Sequence, residues 1–342
     1  MNIERLPETV ATLYAELLEQ ALVLERAAGV EASVPGGLVA KEIRGRRYLY
    51  WQVRKGGRVT QRYLGPDSAD LRSSLEQLAE RRRDAAEEAE SLDRLAAMLV
   101  AGGAVRETPR VGAVLRLLAE LGLFRRGAVL VGTQAFRTYG NVLAVRLPSA
   151  SLRTQDIDVA HAIDVAVAAS SETAPPIEPS LAALGFLPVP GLDARKPSTS
   201  FHLRRGELRV DFLTPARGRA AKAPVAVPGL GFSAWPLPFL EYLIDEPVPA
   251  MSLGSRPALV RVPRPGRFAL HKLWTAAARP VSEQAKAGKD RAQAAAVIEV
   301  LAADRPGDLR EALVALAARP SARRRVEAEL DRLGIDYREW RG

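Results

Sequence analysis

The chain has 342 residues, 47% of them hydrophobic, which is enough for a large buried core and predicts two or three domains. It contains no cysteine, which excludes disulfides and thiolate metal sites. The formal net charge of +9 favours polyanionic partners, with nucleic acid or nucleotide first. An arginine bias set by genomic base composition gives the same charge, so a nucleic-acid partner stays open.

The N-terminus lacks a basic start followed by an apolar block, and no later run is long and apolar enough to cross a membrane. We therefore expect a soluble, cytoplasmic protein without a membrane partner.

The first hundred residues favour helices around a β-hairpin. Apolar residues at helical spacing predict a helix over residues 8–29. Residues 46–54 and 58–64 are β-prone and are separated by a glycine-containing turn. Residues 68–100 contain neither proline nor glycine and predict one long helix or two in succession. The glycines at 102–103 end this helical stretch, so we place the first domain boundary there.

The predicted hairpin carries Tyr48, Tyr50 and Trp51 among arginines. Aromatic rings interleaved with cations are typical of surfaces that bind single-stranded nucleic acid by stacking and phosphate contacts. A small aromatic hairpin that simply packs on neighbouring helices explains the same pattern. RNA therefore remains a possible partner from the sequence.

A central segment alternates between helical and strand patterns. Residues 128–131 predict a buried strand, followed by a turn at Gly132 and Thr133 and by a helix. Residues 155–160 predict a further strand. Residues 199–205 and 207–213 predict a hairpin, so a mixed α/β sheet is expected.

Three aspartates on these strands are the candidate site. Side chains two apart on a strand project from the same face, so Asp156 and Asp158 point one way while Ile157 and Val159 enter the core. The same alternation puts Asp211 on the outward face of its strand. Paired carboxylates suit a hard divalent cation, and Mg²⁺ is commonly held by a few carboxylates together with substrate phosphates. Two acids on a solvated strand face are the simpler explanation of the bare motif.

The order of these features resembles the nucleotidyltransferase superfamily related to DNA polymerase beta, and within it a family of poorly characterised bacterial proteins. The resemblance depends on Gly132, Thr133, Asp156, Asp158 and Asp211, and it extends over residues 105–300. It implies a nucleoside triphosphate (NTP) substrate, a magnesium or manganese cofactor (Mg²⁺ or Mn²⁺) bound by the three aspartates, and catalysis by the same acids. It also implies that Asp211 assists deprotonation of the attacking hydroxyl.

Two features depart from the usual superfamily pattern. The turn is Gly-Thr where Gly-Ser or Gly-Gly is common, and residues 138–153 form a longer connection to the paired acids, which we expect to loop out. A threonine at a helix N-terminus still offers a hydroxyl and a backbone N–H to phosphate, so Gly132 and Thr133 are predicted to bind the nucleotide.

Phosphoryl chemistry also needs cations, because the triphosphate and the departing pyrophosphate carry several negative charges. The resemblance implies that Lys272, on a helix after a proline-rich turn, touches the phosphates; a lysine on a solvated helix face is the plain alternative. Lys289 and Asp290 resemble the pair that opens the next helix, where Asp290 would cap the helix and orient a partner. Arg279 and Lys286 are further candidate cations.

Beyond residue 235 a helix to residue 244 and a strand pair over 249–262 precede a helical region. The helices are predicted over residues 267–278, 283–302, 310–318 and 322–333. The predicted fold class is thus α/β (α+β), a mixed-sheet nucleotidyltransferase core between an N-terminal helix and hairpin region and a C-terminal helical domain. The predicted domains are residues 1–103, 104–235 and 236–342.

The expected function is metal-dependent transfer of a nucleoside monophosphate from an NTP to a hydroxyl. RNA, a protein and a small molecule such as an aminoglycoside all stay open as the acceptor, and the sequence does not decide the oligomeric state. The rival interpretation is a non-catalytic protein with the same fold that binds nucleic acid or a protein partner. Retention of all three acids favours the enzyme.

Overall fold

The structure is a computed structural model. It describes residues 4–27, 37–43, 46–55, 58–148, 155–162, 177–191, 196–216, 223–227 and 230–340. The chain forms two compact units. The first unit comprises residues 1–18 and 96–342, and the second comprises residues 19–95.

The second unit contains a three-stranded antiparallel sheet formed by strands β2 (Gly37–Ile43), β3 (Arg46–Lys55) and β4 (Arg58–Pro66). Helix α1 (Glu8–Ala27) runs into this unit, and helix α2 (Ala69–Ala101) runs out of it. The predicted hairpin is confirmed, whereas strand β2 was not foreseen. Of the two possibilities left open for residues 68–100, one long helix and two in succession, the structure has the single helix.

The predicted aromatic face is described only in part. The rings of Tyr48 and Tyr50 are half-buried, and the ammonium of Lys41 lies 5.1 Å from the centre of the Tyr50 ring. The side chain of Trp51 lies outside the described residues.

The first unit is built on a mixed sheet, as predicted. Strand β10 (Arg209–Pro215) lies at its centre and runs parallel to β7 (Asp156–His161) and to β12 (Phe232–Leu237). Beyond β7 lies β5 (Ala128–Val131), which is antiparallel to it. The remaining strands, antiparallel to their neighbours, are β8 (Phe186–Pro188), β9 (Ser200–Leu203) and β11 (Val225–Val227).

Alternation along the strands explains which side chains form the core. Ile157 and Val159 of β7, and Val210 and Phe212 of β10, are fully or almost fully buried, as the sequence predicted. The phenyl ring of Phe212 stacks on that of Phe232, with the ring centres 4.0 Å apart. Burial of these apolar side chains holds the strands in one register, because a slip by one residue would move all of them to the opposite face.

Helices and short strands cover the sheet and its edges. Helix α4 (Gly132–Val142) follows β5 directly, and strand β6 (Val145–Arg146) pairs with β1 (Glu4–Arg5). The expectation that residues 138–153 loop out is wrong for their first part, because α4 continues to Val142 and β6 follows at Val145–Arg146; residues 149–153 lie outside the described residues. The other elements here are α3 (Pro109–Glu120), α5 (Ile177–Ala183), α6 (Leu240–Ile244) and the hairpin of β13 (Val248–Leu253) and β14 (Pro257–Val262).

The C-terminal part is helical, as predicted: α7 (Pro265–Ala278), α8 (Gln284–Asp304), α9 (Pro306–Ala315) and α10 (Pro320–Arg332). Three of these helices begin with proline, whose fixed φ suits the first helical position and whose missing N–H is not needed there. One hydrophobic core extends from Val111 to Trp340 and includes residues on both sides of position 235. The domain boundaries at 103/104 and 235/236 stay predictions.

Candidate active site

The structure brings the three predicted aspartates together on one face of the sheet. In the parallel pairing of β7 and β10, Asp158 lies directly opposite Asp211, and Asp156 lies opposite Arg209. All four side chains face away from the core, because their neighbours along each strand are buried. Adjacent strands lie about 4.8 Å apart, so two acids in register are close neighbours.

The pKa of Asp158 reflects its burial and the neighbouring acids. Burial, followed by the negative charges of Asp211 and Asp156, raises the pKa of Asp158 from 3.8 to about 7, against the opposing attraction of Lys272 and Lys289. Burial also raises the pKa of Asp211, while a hydrogen bond from Ser200 and the charge of Arg209 oppose this rise. A cation among these carboxylates would relieve the repulsion.

The Gly-Thr turn lies against these acids, and glycine is needed there for two reasons. Gly132 has φ of +64°, which disfavours residues with a Cβ, and a Cβ at this position would collide with the carboxylate of Asp158. The turn and the acid are thus packed so closely that only a bare backbone fits. The backbone N–H groups of the first turn of α4 start at this point.

Thr133 is more enclosed than the sequence indicated. Its side chain is buried, and its hydroxyl oxygen accepts a long hydrogen bond of 3.4 Å from the side-chain amide of Gln293 on α8. The next residue, Gln134, donates from its amide to the backbone oxygen of Asp156, also at 3.4 Å. Two glutamines that the sequence did not single out therefore link the turn to helix α8 and to strand β7.

The candidate cations are organised by a buried acid. Asp290 is 3% exposed and accepts hydrogen bonds of 2.7 Å from both Lys272 and Arg279. The prediction that Asp290 caps its helix is wrong, because α8 begins at Gln284 and Asp290 lies in its second turn. Its predicted role of orienting a partner is consistent with these two contacts.

The other two cations differ in their surroundings. Burial and the nearby charge of Lys272 lower the pKa of Lys289, whereas Asp290, Asp156 and Asp158 raise it, so its ammonium lies within electrostatic reach of the acids. Lys286 is exposed and lies 3.6 Å from Glu283. Lys289 therefore belongs with the site, whereas Lys286 pairs along its own helix.

A pocket of about 400 Å³ opens beside the acids. Gly132, Asp158 and Lys272 contribute to its wall, so three predicted site residues face one cavity. Most of the remaining wall is apolar and comes from the ends of β10 and β12 and from helices α6 and α7; it includes Leu213 and Trp274. The sequence contained no recognisable signal for this pocket, since its residues come from distant segments.

The residues fit a divalent cation in part. In the described ranges no group of three or more acidic or histidine side chains converges as a ready-made metal site. The carboxylate of Asp211 is already engaged within the protein, because it accepts a 2.5 Å hydrogen bond from the Ser200 hydroxyl. A closed protein cluster is not required, because Mg²⁺ is usually bound by one or two carboxylates and completed by substrate phosphates and water. The charges of the neighbouring acids together create the negative electrostatic potential that attracts such an ion.

The site thus belongs to an α/β protein whose mixed sheet presents neighbouring acids beside a glycine turn and a pocket lined by Lys272 and Arg279. Residues 109–317 match the family described as nucleotidyltransferase. This match extends over more than half of the chain, and the chain belongs to that family.

Residues 4–73 match a second family, described as a domain of unknown function (DUF6788). Among the curated proteins and the solved structures, none matches this chain. None of the described helices combines the length and the apolar character that crossing a bilayer requires.

Proposed function

We propose that the protein transfers a nucleoside monophosphate from an NTP to a hydroxyl acceptor with the help of a divalent cation. The observation that carries the proposal is the packing of the Gly132 backbone against Asp158, with Asp211 opposite on the next strand. This arrangement supports the proposal, because backbone N–H groups that could bind phosphate and carboxylates that could bind a metal ion lie within one small volume. Membership of the nucleotidyltransferase family supports the same chemistry.

Asp156 and Asp158 would hold Mg²⁺ or Mn²⁺, with Asp211 completing the carboxylate set. The bound cation would neutralise phosphate charge and align the attacking and leaving oxygens. In the reaction, the acceptor oxygen forms a bond to the α-phosphorus while the bond from that phosphorus to the bridging oxygen breaks and pyrophosphate leaves. Asp211, whose pKa is raised by burial, would take the proton of the acceptor hydroxyl.

Lys272 and Lys289 would balance the charge of the triphosphate. Asp290 uses one donor position of the Lys272 ammonium and leaves two for phosphate oxygens. The same ion pair keeps the long lysine side chain in place, which reduces the entropy lost when phosphate binds. Gly132 and Thr133 would bind phosphate through the backbone N–H groups, since the Thr133 hydroxyl is buried against Gln293.

The proposal specifies the acceptor only as a molecule with a hydroxyl group. RNA is one candidate, because the chain has a net positive charge and its second unit carries the half-buried tyrosines Tyr48 and Tyr50. We also propose that the protein belongs to the DNA polymerase beta superfamily, comes from a bacterium and is located in the cytoplasm.

Calorimetric titration tests the site without knowledge of the acceptor. We expect a nonhydrolysable NTP analogue to bind in magnesium and not in chelator, because unneutralised carboxylates repel the phosphates. Asp156→Asn and Asp158→Asn should each abolish the magnesium-dependent part of binding. Asp331→Asn removes an exposed acid of helix α10 and serves as the matched control, which should bind like the wild type. Equal binding of the analogue in chelator and in magnesium would overturn the proposal.

A further inference from the structure

The proposed chemistry uses only part of the pocket beside the acids. Gly132, Asp158 and Lys272 account for phosphates and metal, but much of the wall is formed by apolar side chains that phosphoryl transfer does not need. A cavity with one polar and charged wall and one large apolar wall fits a ligand with the same division. A nucleoside triphosphate is such a ligand, because its phosphates are highly charged and its base is flat and weakly polar.

Aromatic rings form a platform on the apolar wall. Trp274 lies with its ring centre 4.8 Å from that of Phe239, and the His271 ring lies parallel to Phe239 at 5.6 Å. Trp274 and His271 are three residues apart on α7, so they lie on the same side of that helix, and both line the pocket. Half-buried aromatic rings at a cavity wall are suited to stacking on a base.

The hydrogen bonds around His271 define what its ring offers. The Thr275 hydroxyl donates its only proton to the backbone oxygen of His271 at 2.9 Å, and the same hydroxyl oxygen lies 3.4 Å from Nδ1. That oxygen is therefore available only to accept from Nδ1, and with the ring proton on Nδ1 the other nitrogen, Nε2, is an acceptor. Burial lowers the pKa of His271 to about 3, which keeps the ring neutral.

The acceptor nitrogen is unsatisfied in the described part of the chain. Nε2 of His271 is buried and has no hydrogen-bond partner there. An unpaired buried polar atom destabilises the folded protein, so a donor supplied by a ligand would recover that loss. Nε2 is covered in this structure, so ligand binding includes a turn of the imidazole toward the pocket that it lines, and this turn gives up the 3.4 Å contact between Nδ1 and the Thr275 hydroxyl.

We propose that this pocket binds the nucleobase of the NTP, that the base stacks on Trp274, and that an exocyclic amino group of the base donates to Nε2 of His271. This inference rests on the proposed function, since it assumes that the triphosphate lies at Gly132, Asp158 and Lys272. Bases with an amino group, such as adenine and cytosine, are then preferred over uracil, whose carbonyl would face the acceptor nitrogen. The volume of about 400 Å³ accommodates a nucleoside but not an RNA or protein acceptor.

The test separates the base from the phosphates. Binding of ATP and of inorganic tripolyphosphate is measured in magnesium by calorimetry, with the full-length chain. Trp274→Ala should weaken ATP binding by about tenfold or more through lost stacking and leave tripolyphosphate unchanged. Trp235→Ala removes an exposed tryptophan of strand β12 that does not line the pocket and should change neither ligand.

His271→Phe tests the hydrogen bond, because it keeps a flat aromatic ring, somewhat larger than imidazole, that cannot accept a hydrogen bond from the base. The wild type should bind ATP about fivefold to thirtyfold more tightly than purine riboside triphosphate, which lacks the amino group, and the variant should bind both equally. Tryptophan fluorescence gives a second readout, which does not require Trp274→Ala to fold normally. We expect ATP, but not tripolyphosphate, to quench the fluorescence of Trp274. The quenching should persist in Trp235→Phe and disappear in Trp274→Phe.

The outcomes distinguish this inference from the proposed function. If neither ATP nor tripolyphosphate binds with magnesium, the proposed function itself is wrong. If both bind, and the Trp274 variants and His271→Phe leave ATP binding and its preference unchanged, the phosphate site stands and the base pocket is refuted.

Discussion

Asp158→Asn should make the metal-free protein more stable at neutral and alkaline pH. The folded state holds the Asp158 carboxylate in partial burial opposite Asp211 and beside Asp156, which raises its pKa from 3.8 to about 7. The unfolded chain has the ordinary value, so the folded state binds a proton more tightly. Stability is therefore lost as pH rises from about 4 to about 7, and the full cost is present above that range.

The size of the effect follows from the shift. A rise of about three pKa units, at about 1.4 kcal/mol per unit, corresponds to about 4 kcal/mol of lost stability, taken as an upper bound because the side chain keeps some contact with water. An asparagine of nearly the same shape carries no charge and removes this cost. Asp331→Asn is the control, because it removes a carboxylate from an exposed helix position.

Urea unfolding from pH 4 to pH 8 in chelator measures the effect. The wild type should lose stability across this range relative to Asp158→Asn, and the two should converge near pH 4. Magnesium should stabilise the wild type at pH 8 and have little effect on the variant, since the ion relieves the same repulsion. A variant that is less stable than the wild type at every pH would show that Asp158 has a structural role and would refute the electrostatic reasoning.

Three further changes probe the surroundings of the site. Gly132→Ala should destabilise the fold by about 1–3 kcal/mol and weaken magnesium-dependent NTP binding, because φ of +64° disfavours alanine and its Cβ would displace the Asp158 carboxylate. A variant whose unfolding and NTP binding match the wild type would contradict the packing described. Asp290→Asn should lower the free energy of unfolding in urea by about 3–5 kcal/mol, because Lys272 and Arg279 share this buried acid. A decrease below about 1 kcal/mol would mean that water takes over the contacts of the Asp290 carboxylate. Affinity for a tRNA pool should fall steeply with salt and should weaken when Tyr48 and Tyr50 are both replaced by alanine; a salt-independent affinity would exclude RNA as a partner through this surface.

Local patterns were enough to predict the strands that carry the acids. Alternation placed Ile157 and Val210 in the core and Asp156, Asp158 and Asp211 on the outward face, and the structure confirms this. Such predictions succeed because the two-residue period of a strand and the exclusion of apolar side chains from water act over a few neighbouring residues. Three C-terminal helices begin at prolines, at Pro265, Pro306 and Pro320, whereas the sequence patterns predicted later starts, at residues 267, 310 and 322.

Only the tertiary structure decided how these pieces meet. That β7 and β10 are parallel neighbours, with Asp158 opposite Asp211, depends on a register between strands that are far apart in the chain. The capping role expected of Asp290 was wrong because α8 starts earlier, and the burial of this acid between Lys272 and Arg279 follows from the packing of α7 on α8. The aromatic pocket likewise has no local signature. Contacts of this kind are selected by the packing of the whole core, in which each side chain takes the place that its distant neighbours leave, and no short stretch of sequence encodes them.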